Sequence, residues 1–348
     1  MSRQTFSPEQ AALPGRVSVA VPVYNGAAHL QECLESIAAQ TYPHWDVVIV
    51  NNCSKDATGE IADEFARRDS RFRVLHCAEF LDQQGNYNRA IASASPGAEF
   101  VKLVEADNRL WPECFARMVE AANRDPQIGV VGSYYLFGRE LLGWGVADQK
   151  VVISGDEVRR DHLLTDIYYL GTPTTMLYRA SALAEATPCF RPGLFYDDTD
   201  LCFRLFRRWK YGFVHQVLSF VRNDNDGISN SFEEFDFIPA YRYALVREYG
   251  PEVLTPDELR KAMRAWKSAY FRRLGNALMA GRSRRYWEFH QKIFRASGSD
   301  LRRTDLIWPA VAAWMDMIFN PKATAERTIR RLRRSLGLST EGEVRLRV

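Results

Sequence analysis

The sequence runs to 348 residues, 46% hydrophobic and 26% charged, with a formal net charge of +3; this is an ordinary globular composition and excludes a chain disordered over most of its length. The length admits one large domain or two modest ones. Basic residues gather in the last third, at Arg282, Arg284 and Arg285 and again at Arg330, Arg331, Arg333 and Arg334, so the basicity is local and no nucleic-acid partner is expected.

Residues 1–15 place Pro8 and Pro14 among polar neighbours without the apolar stretch of a secretory leader, and read as a flexible N-terminal segment of a cytoplasmic protein. The first clear element is Val17–Val23, an apolar, β-branched run of strand length closed by the turn Tyr24-Asn25-Gly26. Leu30, Cys33, Leu34 and Ile37 then recur at helical spacing until Pro43 stops them. The unit repeats: Val47–Val50 leads into the polar cluster Asn51–Asp56, and Thr58–Arg68 shows Ile61 and Phe65 on one helical face. A third strand is expected at Phe72–His76, followed by a loop containing Gly85 and a helix from about Asn86 to Ala94; a fourth, Phe100–Val104, ends at Glu105-Ala106-Asp107. This alternation predicts an α/β fold with a mainly parallel sheet and helices on both faces. Ligands of such sheets bind at the carboxyl ends of the strands. Asn25, Asn51, Asn52 and Asp107 each follow a predicted strand, and are expected to converge on one edge.

The strings VSVAVPVYNG, LQECLESIAAQTYP (Leu30–Pro43), VIVNNCSKDAT (Val48–Thr58), GNYNRAI (Gly85–Ile91) and VKLVEADN (Val101–Asn108) together resemble the nucleotide-binding half of family 2 glycosyltransferases, whose fold is the Rossmann-like GT-A type. The likeness continues, less tightly, through GTPTTMLYR (Gly171–Arg179), FYDDTDLCFRL (Phe195–Leu205) and VRNDNDGIS (Val221–Ser229). It implies a nucleotide-sugar-binding half over 16–125, an acceptor-binding and catalytic half over 126–232, and a helical C-terminal region over 233–348. It also implies a donor of the UDP, GDP or dTDP type, transferred with inversion to a glycan or glycolipid acceptor in surface polysaccharide or glycolipid synthesis.

The chemistry can be argued beside the resemblance. A departing nucleoside diphosphate gathers negative charge, which a divalent cation stabilises if carboxylates hold it without filling its coordination shell. Asp107 is the natural ligand, and hard oxygen donors suit Mn²⁺ or Mg²⁺. Relatives usually carry D-x-D where this chain has Glu105-Ala106-Asp107, which keeps both charges and lengthens the first arm. By itself such a string is more often a solvated turn; the flanking motifs reverse that weighting. Asn51 stands where many relatives have an Asp that contacts the base, and its amide both donates and accepts, so the identity of the base stays open. Pro22, Tyr24, Asn25, Asn52, Asn88, Arg89 and Ala106 complete the expected donor pocket, although a turn or capping role suits each of the polar ones as well.

The acceptor side is expected from Thr172 and from Asp197-Asp198-Thr199-Asp200. Inverting transfer needs a base for the acceptor hydroxyl. The resemblance puts Asp198 in that role, with Asp197 and Asp200 beside it. The competing reading is a helix N-terminus whose acids face the positive end of the dipole of Leu201–Trp209. Relatives commonly show R-x-H-x-x-S where this chain has Arg222 to Ser229, which puts Asp224 at a position able to complete the metal shell. The six cysteines form no C-x-x-C pair and the six histidines no ligand-spaced cluster, so neither a zinc site nor a redox pair is indicated.

Beyond Ser229 helices are expected at Ile238–Tyr249, Pro256–Met279 and Tyr286–Phe294. Leu306–Phe319 is too short and too interrupted to span a bilayer. Basic residues on both sides suit it equally to a headgroup layer on the inner membrane face and to a buried helix, and the aromatic-rich region could also form a homo-oligomer surface. Two other functions share parts of this pattern. A nucleotidyltransferase would need a Gly- and Arg-rich phosphate loop that Val21–Gly26 lacks; a non-catalytic nucleotide-sugar-binding or assembly protein would need neither Asp107 nor Asp198, and both are present.

Overall fold

The computed structural model describes residues 13–165, 167, 169–223, 235–296 and 301–319. The chain divides into two compact units, one up to Asp224 and one from Asn225 onward.

The first unit is built on a ten-stranded sheet. Its opening half follows the expected alternation: β1 (Leu13–Val23), α1 (Leu30–Ala38), β2 (Trp45–Asn51), α2 (Thr58–Arg68), β3 (Phe72–His76), α3 (Gln83–Ala92) and β4 (Ala98–Leu103). These four strands are mutually parallel, with β1 between β2 and β4 and β3 outside β2. Side chains alternate strictly between two buried faces. Val17, Val19 and Val21 pack with Leu30, Cys33, Leu34 and Ile37 of α1 on one side, while Ala20, Val48 and Val50 meet Ala90 of α3 on the other, which is why these strands read as continuous apolar runs. Pro22 is accommodated inside β1 because its side of the strand faces β4, and the β1–β4 ladder has already ended at Ala20 and Leu103.

The chain then adds β5 (Arg109–Leu110), α4 (Cys114–Ala122), β6 (Ile128–Phe137), β7 (Glu140–Leu142), β8 (Val152–Ile153), α5 (Gly155–Leu164), β9 (Leu177–Arg179), α6 (Ala180–Ala184), α7 (Asp197–Leu205) and β10 (Lys210–Val221). The full order is β3-β2-β1-β4-β9-β6-β10-β5, with β7 on β6 and β8 on β10. The short strand β9 runs antiparallel to both β4 and β6, and so joins the two halves in one sheet. Two helices begin earlier than the sequence reading expects. In α3 Asp82 accepts from the Gly85 amide and starts the helix at Gln83, and α7 takes in the whole Asp197–Asp200 string as its first turn.

The second unit is helical: α8 (Phe237–Val253), α9 (Pro256–Met279), α10 (Arg284–Ala296) and α11 (Ile307–Phe319). Thr255 and Glu258 form a reciprocal capping box at the start of α9, and α9 packs on both α8 and α11. Among the described residues no helix is long and apolar enough to cross a membrane, and all six cysteines are free.

Candidate active site at the strand ends

The carboxyl ends of β1, β2 and β4 lie at one edge of the parallel ladder, and the backbone there is unusual. Asn25, after β1, and Cys53, just beyond β2, both have left-handed φ values, 49° and 61°, a conformation that costs energy outside glycine and gathers where a site imposes it. The two loops are stitched together. Lys55 N donates to Asn25 Oδ1 at 2.8 Å, Asn25 N to Ser54 Oγ at 2.9 Å, and Gly26 N to Thr58 Oγ1 at 2.8 Å.

Most of the asparagines expected in the pocket hold loops. Asn52 pairs both ways with the Leu81 backbone, donating to its carbonyl at 2.8 Å and accepting from its amide at 3.0 Å. Asn88 does the same with Phe190, at 2.7 and 2.9 Å. Asn51 Oδ1 accepts from Ser54 N at 3.1 Å, and its Nδ2 lies 3.1 Å from His76 Nδ1, whose Nε2 is 2.9 Å from Asp63. Arg89 donates to the Glu79 carbonyl. Tyr24 is 46% exposed and meets Phe80, 58% exposed, edge to face at 4.8 Å. Phe80 lies in the loop before α3 and carries no motif that would single it out.

Glu105 and Asp107 sit on the loop between β4 and β5 with different surroundings. Glu105 is enclosed by protein donors: Tyr87 Oη at 2.6 Å on one oxygen, and Asn108 Nδ2 and Thr174 Oγ1, each at 3.1 Å, on the other. Burial first, and the Asp107 charge second, raise its pKa above the usual carboxylate value. Glu105, the longer first arm of the Glu105-Ala106-Asp107 string, thus spends its oxygens tying the loop to α3 and to the segment around Thr174. Ala106, between them, is buried. The Asp107 carbonyl accepts from Arg222 Nε at 3.2 Å, and Arg222 also reaches Glu32 of α1 at 2.7 Å while its amide donates to Asn108 Oδ1 at 2.9 Å. The β10 terminus thus braces the acidic loop. Thr172 precedes the Pro173–Thr175 turn, and Thr174 of that turn touches Glu105.

The acidic string of α7 separates into distinct roles. Tyr196 occupies the N-cap position with no side-chain cap bond. Asp197 Oδ1 accepts from Asp198 N at 3.0 Å and Asp198 Oδ1 from Thr199 N at 2.6 Å. Burial, then the neighbouring Asp197 charge and, further off, Glu105, push the Asp198 pKa up to about 7. Asp197 is raised as well, by burial above all. The Glu105 charge opposes ionisation of Asp198 although the two lie 93 residues apart in sequence. Asp200 has a 0% exposed side chain held by Arg191 and by Arg204, the latter at 3.0 Å, so it anchors an ion pair within the fold. Removing one partner of a buried ion pair strands the other charges, so Asp200→Ala is expected to lower the unfolding free energy by about 3–5 kcal/mol. Denaturant titration measures this, and a loss below about 1 kcal/mol would contradict the anchoring role.

Asp224 lies outside the described residues. Among those described, no three acidic, histidine or cysteine side chains form a ready-made cation cage. What the loop offers a dication is the Asp107 carboxylate within a field of like charges that a dication would relieve. Magnesium-type ions bound with nucleotides commonly take one or two protein carboxylates, phosphate oxygens and water completing the shell, so these residues fit such an ion.

Residues 18–187 match the family model described as glycosyl transferase family 2. Among curated proteins, the glycosyltransferase GlyG of Streptococcus pneumoniae is 32% identical over 119 residues, 34% of this chain and 39% of that one. The putative teichuronic acid biosynthesis glycosyltransferase TuaG of Bacillus subtilis is 29% identical over 104 residues, 30% of this chain and 40% of that one. The matched stretches thus span well under half of these relatives. Among solved structures, S. aureus TarS residues 1–349 in complex with UDP-GlcNAc superposes with a TM-score of 0.55 at 19% identity, covering 74% of this chain and 72% of that one. The mannosyltransferase PcManGT of Pyrobaculum calidifontis, in complex with GDP-Man and Mn²⁺, gives 0.52 at 16% identity, covering 91% and 84%. The architecture is that of the GT-A glycosyltransferases.

Proposed function

We propose, from the match of residues 18–187 to the family model of glycosyl transferase family 2, that this chain transfers a sugar, with inversion and with a divalent metal, from a nucleoside-diphosphate sugar to an acceptor hydroxyl. What supports the reading is the Glu105–Asp107 loop at the strand ends, held by Tyr87, Asn108 and Thr174, together with the buried first turn of α7, where burial and the Asp197 and Glu105 charges hold the Asp198 carboxyl above the usual carboxylate range. UDP-GlcNAc bound to TarS, GDP-Man bound to PcManGT and teichuronic acid biosynthesis in the name of TuaG support a nucleotide-sugar donor and a surface glycan or glycolipid acceptor.

In this mechanism the strand ends of β1 and β2 receive the nucleotide, with Tyr24 and Phe80 as its apolar wall. Asp107 would hold Mn²⁺ or Mg²⁺, which when bound neutralises charge on the departing diphosphate. Glu105, fixed by Tyr87, Asn108 and Thr174, keeps the loop in place. Asp198 accepts the acceptor's hydroxyl proton as that oxygen bonds to the anomeric carbon, while the bond from that carbon to the phosphate oxygen breaks on the opposite face. The nucleoside diphosphate leaves with the bonding pair, and the proton resides on Asp198 until solvent removes it.

A raised carboxylate pKa carries a signed consequence. The base must be ionised to act, so kcat/KM should climb with pH and level off above about 7. In Asp198→Asn the residual rate should lose that ascending limb, whereas an unchanged bend would assign it to another group. Donor recognition is tested by a thermal-shift panel of UDP-, GDP- and dTDP-sugars with and without Mn²⁺, since a ligand confined to the folded state raises its stability. At least one donor should stabilise the protein only with metal; a panel without any shift would overturn the reading.

A further inference from the structure

We propose that the outward face of α11 docks the protein onto the headgroup layer of an anionic lipid bilayer. Helix α11 has two unlike sides. Pro309 and Ala310 approach α9 at Gly275 so closely that a Cβ on that glycine would collide with the Pro309 carbonyl and the Ala310 amide, and this contact fixes the inward side. The outward side carries Ile307, Trp308, Val311, Trp314, Met315 and Phe319, all exposed, with Trp308 at 79%, Phe319 at 70% and Trp314 at 50%. Three large aromatic side chains in water on one 13-residue helix form the kind of contiguous apolar surface that marks an interaction site.

Charge selects the occupant. Residues 225–348 carry 23 Lys and Arg against 15 Asp and Glu, a formal +8 on a chain whose total is +3. Arg302, on the approach to α11, is exposed, and Lys322, Arg327, Arg330, Arg331, Arg333 and Arg334 follow the helix in sequence. Two copies of so basic a unit repel each other, while an anionic surface attracts it. Tryptophan pairs an apolar ring with a polar N–H and prefers the boundary between headgroups and acyl chains. At a rise of about 1.5 Å per residue the helix is roughly 20 Å long, short of the roughly 30 Å hydrocarbon core, so it lies in the surface rather than crossing it. In a free interfacial helix the polar face points to water; here the packed side against α9 takes that place.

The test uses full-length protein and sedimentation with vesicles of phosphatidylcholine alone or mixed with phosphatidylglycerol. Wild type should pellet with the mixed vesicles, release at high salt, and show tryptophan quenching by brominated acyl chains, a readout that needs no variant. Trp308→Glu combined with Trp314→Glu should weaken partition by about tenfold or more, as two large apolar groups no longer leave water, while donor hydrolysis without lipid stays at the wild-type level. Equal partition of wild type and variant, or no binding to either vesicle, would overturn the proposal. So would a wild-type dimer that the double substitution dissociates without lipid, since a second copy would then be the occupant.

Discussion

Asp198→Asn is expected to slow product formation by about 10²–10⁴, the usual contribution of a positioned general base, while donor affinity stays near wild type. The substitution preserves shape and polarity and removes only the capacity to take a proton. The structure sharpens the alternative, in which Asp198 merely favours the α7 N-terminus. Its Oδ1 accepts from the Thr199 amide at 2.6 Å, a bond that an Asn carbonyl oxygen reproduces, and Asn serves a helix start nearly as well as Asp. Helix support therefore predicts near-normal turnover and base catalysis predicts its collapse, and one assay at saturating donor and acceptor separates them.

Asp107→Ala is the second large effect. A carboxylate holding a cation that carries several kcal/mol of transition-state stabilisation should, when removed, cost on the order of 10³ in turnover and abolish metal-dependent nucleotide binding. The fold should persist, because a loop carboxylate at a strand end contributes little to the core. Calorimetric titration of UDP and GDP with and without Mn²⁺ reads the binding loss directly. Metal-dependent affinity equal to wild type would remove Asp107 from the metal site.

The parallel half of the sheet was legible because its physics is local. Val17–Val23 and Val47–Val50 are buried on both faces and so appear as unbroken apolar runs, each followed by a polar turn. The strands β6 and β10 were not read. Gly129 and Gly132 in β6 look like breaks, yet they are where Trp209 and Tyr211 crowd the strand too closely for a side chain, a requirement set by residues far along the chain. In the candidate site, motifs alone single out Asp107 and Asp198 as the expected metal ligand and base. The enclosure of Glu105 was not legible, since two of its partners, Tyr87 and Thr174, lie 18 and 69 residues away and only the fold brings them in. The ion pairing of Asp200 was not legible either: its place in an acidic string suggested the acceptor side, and only the fold brings Arg191 and Arg204 onto its carboxylate. The exposure of the α11 aromatics was likewise invisible in composition, because a buried and an interfacial helix share the same apolar content.

Nucleoside diphosphate released from a panel of UDP-, GDP- and dTDP-sugars, with Mn²⁺ and with chelator, decides whether the protein is a metal-dependent nucleotide-sugar transferase. At least one donor should yield its diphosphate in the presence of metal and none after chelation, and Asp107→Ala should match the chelated wild type. A panel that yields no diphosphate under either condition, or a protein that instead consumes nucleoside triphosphate and releases pyrophosphate, would contradict the assignment.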